Sequence, residues 1–140
     1  MFHRILVGVD GSEGGQRALE RAVELAVLCG ADMLVVSVEE KLPAYAATVG
    51  EIDDAQRLEH RYFRQIQHDA RRYVESNGVT VHLEVAPGHP AMTIARLAAE
   101  RGCDLIVLGH TGHSRLHNLF LGSTADRVVE QAHCAVLVVR

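Results

Sequence analysis

LIVLGHTGHSRLHNLFLGSTADRV, residues 105 to 128, passes from an apolar run, through a segment holding Gly109, Gly112 and Gly122, into a patterned stretch. Leu105 to Leu108 is continuously aliphatic and too short for a helix. It reads as a strand buried on both faces, as in a parallel sheet covered by helices. After Gly122 the apolar residues Ala125, Val128, Val129 and Ala132 recur at helical spacing and predict an inward stripe. A buried strand that feeds a helix through a glycine-bearing loop is one unit of an α/β fold.

The same unit recurs outward from this stretch. Ile5 to Val9, Met33 to Val38 and Ala135 to Val139 are further continuous apolar runs. Thr80 to Val85 alternates instead, with Val81, Leu83 and Val85 on one side, and predicts a half-exposed edge strand. Between the runs, Ala18, Ala22, Leu25, Ala26 and Cys29 form a helical stripe stopped by Gly30. Ala55, Leu58, Tyr62, Ile66, Ala70 and Tyr73 form a second, stopped by Asn77 and Gly78. A third opens at Pro90 and runs through Ile94, Leu97 and Ala98 to Gly102. Proline at a first turn and glycine past a last turn are the expected boundaries. Strand and helix alternate throughout, which predicts one doubly wound α/β domain over residues 1–140 with right-handed crossovers. Two connections are long, about Glu39 to Asp53 and His110 to Leu121. Both follow strands, so both belong to the carboxyl edge of the sheet with the Asp10 to Gly15 turn, where such folds bind ligands.

Composition narrows the function. A chain of 140 residues can bury a real core, and 48% apolar residues is ordinary for a globular protein. A formal net charge of -4 argues against a general nucleic-acid binder. No apolar run approaches the roughly 20 residues of a membrane span, and MFHRILVGVDGS has neither the length nor the cleavage site of a signal peptide. Cys29, Cys103 and Cys134 are widely spaced and read as buried reduced thiols, which fits a cytoplasmic protein.

The chemistry concentrates in residues 109–124. Gly109 and Gly112 would let the backbone approach an anion with no Cβ in the way. Gly122 and Ser123 sit at the mouth of the last helix, where free N–H groups and the positive end of the helix dipole favour phosphate. Ser123 and Thr124 add hydroxyls, and Arg115 and His113 could balance phosphate charge. Each feature has a structural alternative. Gly109 could merely end a strand, and Ser123 with Asp126 resembles a capping pair worth about 1 kcal/mol. Asp10 could serve only the Asp10-Gly11-Ser12 turn.

The spacing Gly109-x2-Gly112-x9-Gly122-Ser123-Thr124 resembles the ATP-binding signature of universal stress proteins. ILVGVDGSEGGQRAL, LVVSVEE, CDLIVLGHTGH and CAVLVVR are similar to that family's opening, second, fourth and closing blocks, so the likeness covers the whole chain. The resemblance implies a Rossmann-like five-stranded parallel sheet of order 3-2-1-4-5, of the adenine nucleotide alpha hydrolase-like type. It implies a stress-response module, usually a homodimer, that binds ATP with or without Mg2+. Carried over, Asp10 lies beside the ribose and phosphates or a bound metal ion, and Val38 meets adenine through its backbone. Gly109, Gly112, Gly122, Ser123 and Thr124 cradle ribose and phosphates; the family commonly has a small aliphatic residue where Thr124 stands. In that strand order the closing strand, Ala135 to Val139, is an edge without protective charges, and a second copy would cover it.

Other readings compete. A slow ATPase or nucleotidyl-transfer enzyme of the same fold is the alternative function. His110-Thr111-Gly112-His113 resembles a nucleotidyltransferase motif, but follows the fourth strand rather than the first. His110, His113 and His117 could in principle ligate a metal, although no cysteine or acidic residue is nearby in sequence. His68, Arg71 and Arg72 make a basic face interrupted by Asp69 and Glu75, the pattern of a solvated helix. The reading adopted is a nucleotide-binding protein without catalytic residues, a metal site, nucleic acid or membrane.

Overall fold

A computed structural model describes residues 1–40, 49–110 and 122–140. Five strands, β1 Arg4–Gly8, β2 Asp32–Glu39, β3 Val81–Pro87, β4 Leu105–Gly109 and β5 Ala135–Val139, form one sheet of order β3-β2-β1-β4-β5. Every neighbouring pair is parallel. Helices α1 Glu13–Cys29, α2 Val49–Ser76, α3 Pro90–Glu100 and α4 Ser123–Gln131 connect them.

The unbroken apolar runs follow from three layers. Ile5, Val7, Met33, Val35, Leu105 and Val107 face α1 and α2, whereas Leu6, Leu34, Val36, Ile106 and Leu108 face α3 and α4. Each side chain is worth about 1.5–3 kcal/mol when fully buried, so both faces of the three central strands must be apolar. β3, at one edge, is half-buried along most of its length.

The helix ends follow their punctuation. The Ser12 hydroxyl accepts from Gly15 N–H at 3.1 Å and starts α1, and Gly30 closes it in the left-handed region at φ 66°. Three expectations need correction. The connection after β2 is shorter than Glu39 to Asp53, because Val49 to Asp53 are already helical; residues 41–48 lie outside the described residues. In α2 the buried line is Phe63, Gln67, Ala70 and Val74, about one residue off the expected stripe, and Leu58 is 64% exposed. The reason is length. A helix of 28 residues runs about 42 Å, against about 26 Å for the eight-residue β2. The first turns of α2 therefore have no sheet beneath them. In α4, Ala125 and Val128 are buried against the α3 side of the sheet, but Val129 is exposed.

At the amino edge the starts of β1 and β4 are tied together. The Asp104 carboxylate accepts from His3 N–H at 2.9 Å and Arg4 N–H at 3.1 Å, and Asp104 N–H donates to the Arg4 carbonyl at 3.0 Å. Burial acts to raise the Asp104 pKa, but these backbone hydrogen bonds outweigh it and hold the carboxyl below its ordinary range. The three thiols are free, yet only Cys103 is buried; Cys29 and Cys134 are half-buried. Burial pushes Cys103 up to about 11.

Candidate functional site

The strand order reverses at β1, which lies between β2 and β4. The crevice at the carboxyl ends of these strands is where an open α/β sheet receives a ligand. Asp10, Val38, Gly109, Gly122, Ser123 and Thr124 all come to this edge. Gly112, with Arg115, His113 and His117, lies outside the described residues.

After β1 the chain turns sharply. The Asp10 carboxylate accepts from Ser12 N–H at 2.9 Å and from the Ser12 hydroxyl, so the turn-forming role of Asp10 is real. Gly11 takes φ +85°, and a Cβ there would collide with the Tyr62 hydroxyl at 2.1 Å. Tyr62, on the projecting part of α2, donates to the Asp10 carbonyl at 3.0 Å.

Gly109 is glycine for a packing reason. A Cβ on it would lie 2.6 Å from the backbone carbon and oxygen of Gly14 in the first turn of α1. A Cβ on Gly15 would in turn press on the Asp10 carboxylate at 3.1 Å. Gly109, Gly14, Gly15 and Asp10 thus form one close-packed seam, and the buried pair Gly14-Gly15 lies in the first turn of α1 rather than in the turn expected over Asp10 to Gly15.

The base of the last loop is pinned at both ends. His110 N–H donates to the Val139 carbonyl at 2.6 Å, and Gly122 N–H to the His110 carbonyl at 2.7 Å. The N-cap of α4 is Gly122, not Ser123; glycine has no side chain to cap with, and among the described residues no other side chain caps it. The Ser123–Asp126 capping pair is therefore not formed; Asp126 N–H bonds the Gly122 carbonyl at 2.9 Å instead. Ser123 occupies the first helical turn, whose N–H groups have no intrahelical acceptor. Ser123 and Thr124, with His89 and Pro90 at the start of α3 and Glu40 after β2, line a cleft of about 250 Å3. Two helix N-termini border this cleft, whose lining also carries Arg127 and Glu130 of α4 and holds none of Asp10, Val38 and Gly109.

Val38 completes the edge. Along β2, Met33 N–H bonds the Thr80 carbonyl on the β3 side and the Val36 carbonyl accepts from Val9 N–H, at 2.9 Å each, on the β1 side. Backbone groups alternate along a parallel strand, so the N–H and C=O of Val38 also point to the β1 side, beyond the place where β1 turns away. Beneath it lies a polar cluster that sequence reading missed. The Ser37 hydroxyl donates to the Val9 carbonyl at 2.9 Å, and Gln67 Nε2 of α2 donates to Ser37 Oγ at 2.8 Å. Both residues are buried, and among the described residues Gln67 Oε1 has no hydrogen-bond partner, a cost of about 1–3 kcal/mol. The only signal for Gln67 was a polar residue at i+4 from Phe63 in a line that continues through Ala70 and Val74.

On the projecting flank, His60 Nδ1 and Glu39 Oε1 are 3.0 Å apart. Burial, and then the charges of Glu39 and Glu40, raise the pKa of Glu59 beside them.

These features match a known group of proteins. The model of the universal stress protein family matches residues 1–140. The chain is 35% identical to a universal stress protein of Thermus aquaticus and 32% identical to YxiE of Bacillus subtilis, in both cases over 100% of each chain. Its fold superposes on the universal stress protein UspA from Lactobacillus plantarum with a TM-score of 0.88 at 29% identity, covering 99% of this chain and 97% of that one. Two more distant structures share the fold: a universal stress protein in complex with cAMP (TM-score 0.77, 23% identity, 99% and 97% covered) and one from Archaeoglobus fulgidus in complex with dAMP (0.72, 24%, 99% and 98%). The chain belongs to the universal stress protein family.

Proposed function

We propose that this protein is a stress-response module that binds ATP at the carboxyl edge of its sheet. The observation that carries the reading is the first turn of α4, uncapped among the described residues, where Ser123 and Thr124 line a cleft that the start of α3 also borders. Phosphate satisfies such N–H groups where the chain supplies no side-chain cap. Val38 then meets adenine with one backbone donor and one acceptor, and Asp10 and Gly109 border the ribose, with Gly112 completing the cradle. The cAMP and dAMP complexes of two fold relatives support an adenine nucleotide as the ligand class. Mg2+, when bound with ATP, would offset phosphate charge near Asp10.

Titration calorimetry with ATP tests the reading. The backbone of Gly122, φ -59° and ψ 150°, is open to any residue, so Gly122→Val keeps its fold by circular dichroism while a branched side chain fills the phosphate position. ATP binding falls at least about tenfold; undiminished binding refutes the phosphate placement.

The protein binds rather than turns over. Rapid phosphoryl transfer needs a positioned water and cations around the γ-phosphate, and the residue 109–124 stretch contains no lysine. Phosphate release with saturating ATP and Mg2+ stays far below the roughly 1–100 s⁻¹ of dedicated kinases. Several turnovers per second, lost in Asp10→Ala, would overturn the binding-module reading. The protein pairs with a second copy through β5, an edge strand in which Leu137 is 38% exposed. Analytical ultracentrifugation gives a dimer that Val138→Lys dissociates; a monomeric wild type overturns this.

A further inference from the structure

We infer that Gln67 and Ser37 are positioning residues that hold β1 and β2 apart so that the backbone of Val38 stays open to adenine. The inference rests on the adenine reading above. In a parallel ladder, Val9 N–H bonding the Val36 carbonyl is followed by Val38 N–H bonding the Val9 carbonyl. Among the described residues the first of these is made at 2.9 Å and the second is not. The Val9 carbonyl is taken by the Ser37 hydroxyl at 2.9 Å. That hydroxyl is aimed by Gln67 Nε2 at 2.8 Å, which also faces the Val35 carbonyl at 3.5 Å and the Glu84 carbonyl at 3.4 Å. With acceptors on every side of Nε2, the amide is fixed in this orientation, and Oε1 is the group left unpartnered.

One residue further on, the Asp10 carbonyl is taken by the Tyr62 hydroxyl. A single helix, α2, therefore engages the two carbonyls that follow β1, the first through Ser37 and the second directly. The ladder stops at Val36, and Val38 keeps one donor and one acceptor side by side at the crevice. That pair matches the N1 acceptor and N6 amino donor of adenine. Guanine presents the opposite pattern, a donor at N1 and an acceptor at O6. The buried Gln67 with its orphaned oxygen is thereby accounted for as a device that keeps a strand pair from zipping closed.

Amide hydrogen exchange by NMR, without nucleotide, tests the device itself. In wild type the Val38 amide exchanges at least tenfold faster than that of Val36. Ser37→Ala frees the Val9 carbonyl, Val38 N–H bonds it, and Val38 exchange slows about tenfold. Ser37→Thr retains the hydroxyl and keeps the wild-type rate, and Gln67→Leu shifts the rate in the same direction as Ser37→Ala. Calorimetry with ATP and GTP reads the consequence. Ser37→Ala loses about tenfold in ATP affinity, the loss of one hydrogen bond, and its ATP-to-GTP preference shrinks, while Ser37→Thr restores both. Core packing alone would lower thermal stability without moving that ratio. A Val38 amide as protected as Val36 in wild type, or unaltered ATP affinity and preference in Ser37→Ala, overturns the inference. A wild type that binds neither nucleotide overturns the adenine reading, and the exchange measurement then still decides whether the brace exists.

Discussion

The two edges of the sheet treat their backbone ends in opposite ways. At the amino edge a carboxylate, Asp104, ties β1 to β4 by accepting from His3 and Arg4. At the carboxyl edge, side chains from α2 and β2 occupy the Val9 and Asp10 carbonyls, and among the described residues the first turn of α4 has no cap. One edge is sewn shut and the other is held open. Backbone hydrogen bonds are gathered in at the amino edge, and polar side chains meet the backbone where the strands part at the carboxyl edge.

The largest effect expected from breaking this contrast is at Gly109. Gly109→Ala drives a Cβ into the Gly14 backbone, which cannot yield as a side-chain tip could. Overpacking of this kind costs about 3 kcal/mol and lowers the melting temperature by roughly 10 °C. A thermal melt within a degree or two of wild type would show that the seam with α1 is loose.

Asp104→Asn addresses the closed edge. The neutral amide accepts more weakly and offers one oxygen rather than two, at a cost of about 1 kcal/mol because the site is partly open to water. The folded pKa of Asp104 lies below its unfolded value of about 3.9. Its contribution is therefore complete above that pH and is lost as pH falls through the lower folded pKa. Urea titrations from pH 6 to pH 2 should show this acid-dependent loss in wild type and a smaller one in Asp104→Asn. ATP affinity, belonging to the other edge, should not change; a change would mean that the edges are coupled.

The smallest effect on stability is at Tyr62. Tyr62→Phe removes one partly exposed hydrogen bond to the Asp10 carbonyl, worth about 0.5–1 kcal/mol. Denaturant melts should barely move, whereas ATP affinity should fall as the turn after β1 loosens. Equal affinity in the two proteins would limit the open edge to Ser37 and Gln67.

Much of this could be read in advance. The layers were legible because Ile5 to Val7, Met33 to Val36 and Leu105 to Leu108 are apolar at every position, and only a sheet covered on both faces buries such runs. Pro90, Gly30 and Gly78 marked helix ends because each acts through its own backbone. The stripe of α2 was misplaced because periodicity locates an apolar face only where something lies beneath it. At Leu58 and Tyr62 the sheet has already ended.

The sequence by itself determined the three-layer parallel fold and the family, since these depend on local apolar patterning and on glycine and proline at fixed spacings. Only the tertiary structure decided why Gly109 must be glycine, that Gly122 rather than Ser123 caps α4, and that Gln67 reaches Ser37 and through it Val9. Those facts join residues 95, 12, 30 and 28 positions apart or turn on one residue of register, and distances across the fold are set by packing, which no local pattern encodes.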